Sequence, residues 1–170
     1  DFLRKLVVSK YNIFVSGGTS SGKTTFLNCL TEYIPENERV VTMEDSAELQ
    51  IRSVKNLVRM ESRDKNLSGK NAILIRDLVK TALRMRPDRI IVGECRGEET
   101  LEMLQAFNTG HDGGMSTGHG NSTEDMISRL ESMSLMAEDL PLDVIRTQIA
   151  SGIDIMIHLE KFANGSRKVS

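Results

Sequence analysis

Residues 12–25 read Asn12-Ile13-Phe14-Val15-Ser16-Gly17-Gly18-Thr19-Ser20-Ser21-Gly22-Lys23-Thr24-Thr25. A short apolar run of strand character leads into the spacing G-x-x-x-x-G-K-T. Glycines at these positions let the backbone turn tightly and aim several N–H groups at one point, which suits a chain of phosphates. Lys23 adds a point charge for the outer phosphates, and the hydroxyl of Thr24 suits Mg²⁺. A helix is predicted from about Gly22 to Ile34, with Leu27, Leu30 and Ile34 on one face and Pro35 as its stop. Its N-terminus adds a dipole favourable to anions. Gly17, Gly18, Thr19, Ser20, Ser21, Gly22, Lys23, Thr24 and Thr25 are therefore the expected nucleotide phosphate-binding loop.

Outward from this loop, strand and helix patterns alternate. Residues 39–43 and 89–94 read as strands, as do 115–117 and 153–159, while 48–61 suggests edge strands or a hairpin. Helical spacing marks 75–86, ended by Pro87, then 98–108, a Ser122-capped helix to about Met133, and 142–151. Residues 64–70 read as a loop. This order predicts an α/β fold with a mostly parallel sheet flanked by helices. Met126, Met133 and Met136 read as helix core.

In an open parallel sheet, ligands gather at the carboxyl ends of strands. Two strands here deliver acids to that edge: Met43-Glu44-Asp45 and Val92-Gly93-Glu94. Two acids suit two tasks, one organising the metal and its waters and the other polarising the attacking water. The plainer reading is that Asp45 or Glu94 caps the next helix. His119, in a polar glycine-rich stretch just past a strand, is placed to touch a terminal phosphate or to serve a structural role; His111 is a weaker candidate.

The chain has 170 residues, 22 Lys plus Arg against 24 Asp plus Glu, a net charge of −2 and 4% aromatics. That balance gives neither the basic surplus nor the stacking platform of a dedicated nucleic-acid binder. No apolar run reaches bilayer length, so membrane association is expected only through a partner. Cys29 and Cys95 lie apart in apolar segments, fit a reducing cytosolic compartment and read as small buried hydrophobes. The chain starts within a helical pattern and stops in the second strand of a hairpin turning at Asn164-Gly165, which suggests a piece of a longer polypeptide.

Four stretches, in order, resemble the type II/IV secretion ATPases. They are GGTSSGKTT (Gly17–Thr25), TMEDSAELQ (Thr42–Gln50), ALRMRPDRIIVGECRGEE (Ala82–Glu99) and NTGHDGGMSTGHGN (Asn108–Asn121). The nearest resemblance is to the CpaF-like branch, which serves tight-adherence (Flp) pilus assembly and related export or conjugation machines. It covers essentially the whole chain as one RecA-like P-loop ATPase domain, residues 1–170, with a C-terminal antiparallel hairpin. The resemblance implies that this is the motor half of a longer protein, with the family's N-terminal domain lying outside it. The resemblance implies ATP and Mg²⁺ as cofactors, Glu44 as general base in the family's acidic box, and Glu94 as the Walker B acid on the metal. It also implies His119 at the γ-phosphate. It further implies a homohexameric ring with ATP between subunits, an inner-membrane secretion or pilus platform as partner, and a cytoplasmic location peripheral to the membrane. Arg59, Arg63 and Arg96 are the candidates to reach across such a joint. The chain departs from the family pattern at Cys95, a small apolar exchange, and at Leu74, which lacks the hydroxyl of a Thr cap. Gly118 and Gly120 replace bulkier neighbours of His119 and predict a looser loop.

The leading reading is an ATP-driven motor for export or pilin assembly. Its alternative is a nucleotide-gated scaffold subunit with little turnover, which the presence of both acids disfavours. A small-molecule kinase would need an arginine-rich lid, which residues 115–141 do not offer, and no direct nucleic-acid partner is expected.

Overall fold

In the computed structural model, which describes residues 1–65 and 71–170, the apolar runs become strands buried on both faces. Helix α1 (Phe2–Val8) precedes strand β1 (Ile13–Gly17) and helix α2 (Lys23–Thr31). Strands β2 (Arg39–Glu44) and β3 (Asn56–Glu61) follow. Next come helix α3 (Ile75–Ala82), a 3₁₀ turn (Leu83–Met85), strand β4 (Arg89–Cys95) and helix α4 (Glu99–Phe107). Strand β5 (Met115–Gly118), helices α5 (Thr123–Ala137) and α6 (Leu142–Gly152), and strands β6 (Ile155–Lys161) and β7 (Arg167–Val169) complete the order. The seven strands form one sheet in the order β3-β2-β4-β5-β1-β6-β7. All neighbours run parallel except the β6–β7 hairpin.

A parallel strand covered on both faces is apolar at every position, and its side chains alternate between the two faces. Phe14, Val41, Met43, Ile90 and Val92 pack with α3–α6 on one side. Ile13, Val15, Val40 and Ile91 pack with α1 and α2 on the other. Every parallel strand then ends at the same sheet edge, where the phosphate-binding loop and the acids of β2 and β4 lie.

Several expectations are corrected. Of residues 48–61, only Asn56–Glu61 forms a strand, and it pairs parallel with β2. A parallel neighbour requires a crossover, and residues 45–55 supply it. Leu49 and Ile51 alternate because they bury against α2, where Asn28 Oδ1 accepts from Gln50 N at 2.8 Å and Thr31 O from Ser53 Oγ at 2.7 Å. Residues 66–70 of the expected loop lie outside the described residues. Helix α2 stops at Thr31, and tighter turns carry the chain to Pro35. Helix α5 runs on to Ala137, which leaves Met136 exposed at 68% while Met126 and Met133 are core. Cys29 is exposed; Cys95 is buried, and burial pushes its thiol up to about 12. The Thr missing at Leu74 is offset from the far side of the cap, because Leu74 N donates to Asp77 Oδ2 at 3.1 Å. This is one half of a capping box. The hairpin turns where expected, with Gly165 at φ +79°.

At the opposite end of the sheet from the loop, Arg89 is fully buried. It bonds both oxygens of Glu38 and donates from Nη1 to Gly113 O at 3.4 Å. Removing one partner of a buried ion pair strands the other charge. Arg89→Ala is expected to destabilise the fold by about 3–5 kcal/mol in urea unfolding. A loss near zero would contradict the reading of Glu38 as dependent on Arg89.

Candidate active site

The loop is fixed from below and from within. At the end of β1, Ser16 Oγ lies 2.9 Å from His158 Nδ1 on β6, a buried bond that ties the loop's base to the neighbouring strand. Gly22 takes φ +96° as the N-cap of α2, a conformation that penalises any side chain. Lys23 opens the helix and is 7% exposed. Its Nζ donates to Gly17 O at 3.1 Å and Gly18 O at 3.2 Å. The third contact is His119 Nδ1 at 3.3 Å.

That contact sets the histidine's protonation. An ammonium has three donors and no acceptor, so Nδ1 must accept and the ring proton sits on Nε2. Nε2 faces Glu94 Oε1 at 2.8 Å and donates to it. Glu94 Oε2 is taken by Arg96, whose Nη1 also lies 3.9 Å from Asp45 Oδ2. Asp45 Oδ1 accepts from Ser62 Oγ at 2.8 Å. A polar chain thus runs Lys23–His119–Glu94–Arg96–Asp45–Ser62 across the ends of β1, β5, β4 and β2. Burial, then the Lys23 charge, holds His119 below its ordinary 6.5 against the pull of Glu94. Burial also lowers Lys23, partly countered by Glu94. The bond to Glu94 raises Arg96.

Glu44 reaches the same edge from β2 and is 4% exposed. Its Oε1 accepts from the backbone N–H groups of Glu48 at 3.0 Å and Leu49 at 2.9 Å. Among the described residues its Oε2 has no protein hydrogen bond. A Cβ on Gly93 would meet Glu44 Cγ at 2.8 Å. Glycine is therefore what lets Glu44 cross in front of β4. The β4–β5 register shifts between Val92 and Cys95, and this irregularity includes Glu94. Such bulges re-aim side chains. Thr24, Glu44, Asp45, Glu48 and Glu94 all line one cleft of about 110 Å³.

The structure thus brings together Lys23, Thr24, Glu44, Glu94, Arg96 and His119. Glu94 does not cap the following helix, whose N-cap position is Glu98 without a side-chain cap bond; Glu99, the first helical residue, accepts from Arg96 N and Gly97 N in the turn that leads in. Arg96 is engaged within its own chain. Neither Arg59 on β3 nor Arg63 just past it lines the cleft; they donate to Ile51 O at 3.4 Å and Asn71 O at 3.3 Å, and Arg63 shares a neighbouring pocket with Asp45 and Arg96. His111 lies before β5, at the opposite sheet edge. Gly118 and Gly120 are tightly packed rather than loose: a Cβ on Gly118 would lie 2.9 Å from Phe14 and Met126 side-chain atoms. Sequence reasoning passed over Glu48, whose Oε2 accepts from Thr24 Oγ1 at 3.2 Å. Its only signal was a third acid four residues beyond Glu44.

The residues present fit a nucleotide and its metal. The side chain of Ser21 is buried in the loop, and its Oγ has no partner among the described residues. The Thr24 hydroxyl and the carboxylates of Glu44, Glu48 and Glu94 form an all-oxygen donor set, which suits a hard cation such as Mg²⁺. Among the described residues no cluster of three or more His, Cys, Asp or Glu could hold a metal ion by itself. Mg²⁺ commonly takes one or two carboxylates and completes its shell with phosphate and water.

The sequence profile described as type II/IV secretion system protein matches residues 1–163. The type IV secretion system protein PtlH of Bordetella pertussis is 38% identical over 172 residues, covering 99% of this chain and 51% of its own length. The conjugal transfer protein TrbB of Rhizobium radiobacter is 35% identical over 168 residues, covering 97% of this chain and 49% of its own. The crystal structure of the VirB11 ATPase from the Brucella suis type IV secretion system, in complex with sulphate, superposes with a TM-score of 0.89 at 30% identity. It covers 99% of this chain and 49% of that one. The chain spans about half the length of the curated relatives it matches.

The depressed His119 has a definite pH consequence. Folded and unfolded forms are both neutral above 6.5, so its stability contribution is present there. As pH falls below 6.5 the unfolded ring protonates first, and stability is lost down through the lower folded value. ¹⁵N NMR titration of the nucleotide-free protein should show an Nε2–H ring with a midpoint below 6.5. Lys23→Ala should raise that midpoint; a fall would contradict the Lys23–His119 contact.

Proposed function

The chain belongs to the type II/IV secretion system protein family, and from that membership we propose that it is the ATP-hydrolysing motor domain of a secretion, pilus-assembly or conjugation machine. The observation that carries the proposal is the convergence of Thr24, Glu44 and Glu94, from three separate elements, on one cleft beside the Lys23 ammonium.

Each residue then has a task. The loop N–H groups and Lys23 bind the phosphates of ATP. The Thr24 hydroxyl and Glu94 would hold Mg²⁺, with Glu48 beside Thr24, and the ion would supply neutralisation of phosphate charge. Glu44 is the general base: its Oε1 is anchored by two backbone N–H groups, and its Oε2 takes the proton of the attacking water. His119 faces the γ-phosphate once it parts from Lys23. Arg96 releases Glu94 for the metal, and Arg96, Arg59 or Arg63 stabilises transferred charge across a joint between subunits.

The working protein on this reading is longer, forms a homohexameric ring, and lies in the cytoplasm against an inner-membrane platform protein. Among the described residues no helix is long and apolar enough to cross a membrane. The substrate moved is pilin, a secreted protein or a conjugative complex.

Purified protein should show Mg²⁺-dependent ATP turnover. Glu44→Gln should lower kcat about 10²–10⁴-fold while ATP still binds, and Glu94→Gln and Lys23→Ala should abolish turnover. Full turnover in Glu94→Gln would overturn the assignment. Gly93→Ala, which changes no charged group, should displace Glu44 and cost about 10²-fold in kcat. Wild-type activity in that variant would show that Glu44 has freedom the packing denies it.

A further inference from the structure

The middle of the phosphate-binding loop, Gly18 to Ser20, is exposed. Ser20 takes φ +61°, a left-handed conformation that costs a residue other than glycine. Lys23 bonds the carbonyls of Gly17 and Gly18, but every donor it gives to a phosphate is withdrawn from those carbonyls or from His119. Anchors for which a phosphate does not compete come from β6 and β7, on the side of β1 away from the acids. Strand β6 pairs with β1 as far as Gly17, which lies opposite Leu159. A Cβ on Gly17 would lie 2.5 Å from Leu159 O, so this backbone stands directly against the first loop glycine. One residue earlier, the buried His158 meets Ser16 Oγ through Nδ1 at 2.9 Å. From β7, the exposed Arg167 reaches back over the loop. Its Nε donates to Ser20 O at 2.9 Å, and its Cδ would lie 3.2 Å from a Cβ on Gly22. Neither His158 nor Arg167 lines the cleft that holds the acids.

We propose that His158 and Arg167 are positioning residues for phosphate binding, His158 acting through Ser16 at the base of the loop and Arg167 through Ser20 at its crest. The inference rests on the nucleotide reading of the loop and adds to it the element that keeps the loop in shape. The loop binds phosphate with backbone N–H groups, so its affinity depends on how far its conformation is set before the ligand arrives. Lys23 sets that conformation only until a phosphate draws on its donors. The two hairpin contacts use a different histidine, a different cation and other loop atoms, and they persist when the lysine turns to the ligand. Ser16 is fully buried beside His158, so loss of the imidazole leaves a hydroxyl with only Ile157 O at 3.5 Å. The Arg167 bond holds the loop at its left-handed residue, where an unanchored chain gains most by relaxing.

Calorimetric titration with Mg²⁺ and either ATP or inorganic tripolyphosphate reads the loop with and without a nucleoside attached, and a urea midpoint is taken for each variant. His158→Ala and Arg167→Ala should each weaken both ligands about three- to tenfold, by the same factor for the two. In turnover, KM for ATP should rise by that factor while kcat stays within about twofold, because a held loop serves the ground and transition states alike. His158→Asn, whose amide can donate or accept near the place of Nδ1, should restore both affinities to within about twofold. If His158→Ala does not fold, Ser16→Ala removes the other half of the same bond and is read in the same way. The proposal fails if the alanine variants lower the urea midpoint but keep the affinities, since the contacts then only support the fold. It fails equally if the loss is confined to ATP, or if His158→Asn binds no better than His158→Ala. If the unaltered protein binds neither ligand, the nucleotide reading falls and this inference with it. Binding by the unaltered protein that the alanine variants match overturns this inference alone.

Discussion

The Lys23 ammonium lies against two carbonyls of its own loop and the Nδ1 of His119. That last contact joins two strand ends that are distant in sequence. Because an ammonium only donates, it forces the histidine to accept on one nitrogen and donate on the other. The donated proton goes to Glu94, and through Glu94 the constraint passes to Arg96 and Asp45. One lysine thus sets the tautomer of His119 and, through it, links groups from β5, β4 and β2. On the proposed function, a terminal phosphate would compete for Lys23 directly, and its arrival would free His119 and with it Glu94, so that nucleotide binding and rearrangement of the acids would draw on the same contact.

Glu44 is held by a different device. Backbone N–H groups of the crossover after β2 fix one of its oxygens, and the missing side chain of Gly93 gives it passage. Among the described residues its position therefore depends on backbone hydrogen bonds and the room left by Gly93 rather than on an ion pair. The two acids can then respond differently to a ligand, Glu94 by exchange of ionic partners and Glu44 by staying in place. A fixed acid suits proton abstraction, and an exchangeable one suits metal binding.

Much of this was legible in the sequence because each device has a local cause. The loop's spacing, the apolar strands ending in acids, and the alternation of helices and strands all follow from rules spanning a few residues. The four motifs in order gave the family. What escaped depended on contacts between distant segments. The alternation of Leu49 and Ile51 predicted pairing, but burial against α2 produces the same pattern without a ladder. Met136 and Cys29 fit the apolar pattern of their helices yet fall outside the covered stripe. Glu48 gained meaning only once the crossover folded back beside Thr24. The hairpin's Arg167 lies 147 positions from Ser20, and no local pattern signals that bond.

The central claim is that the loop and the acids of two strands serve one triphosphate–metal cluster. A crystal structure with Mg²⁺ and a nonhydrolysable ATP analogue tests it most directly. The account predicts the terminal phosphate between Lys23 and His119, the metal between Thr24 and Glu94 with the Arg96 pair opened, and Glu44 Oε2 facing the phosphate from its present place. A terminal phosphate outside the cleft, with the Glu94–Arg96 pair intact and no metal near Thr24, would contradict it.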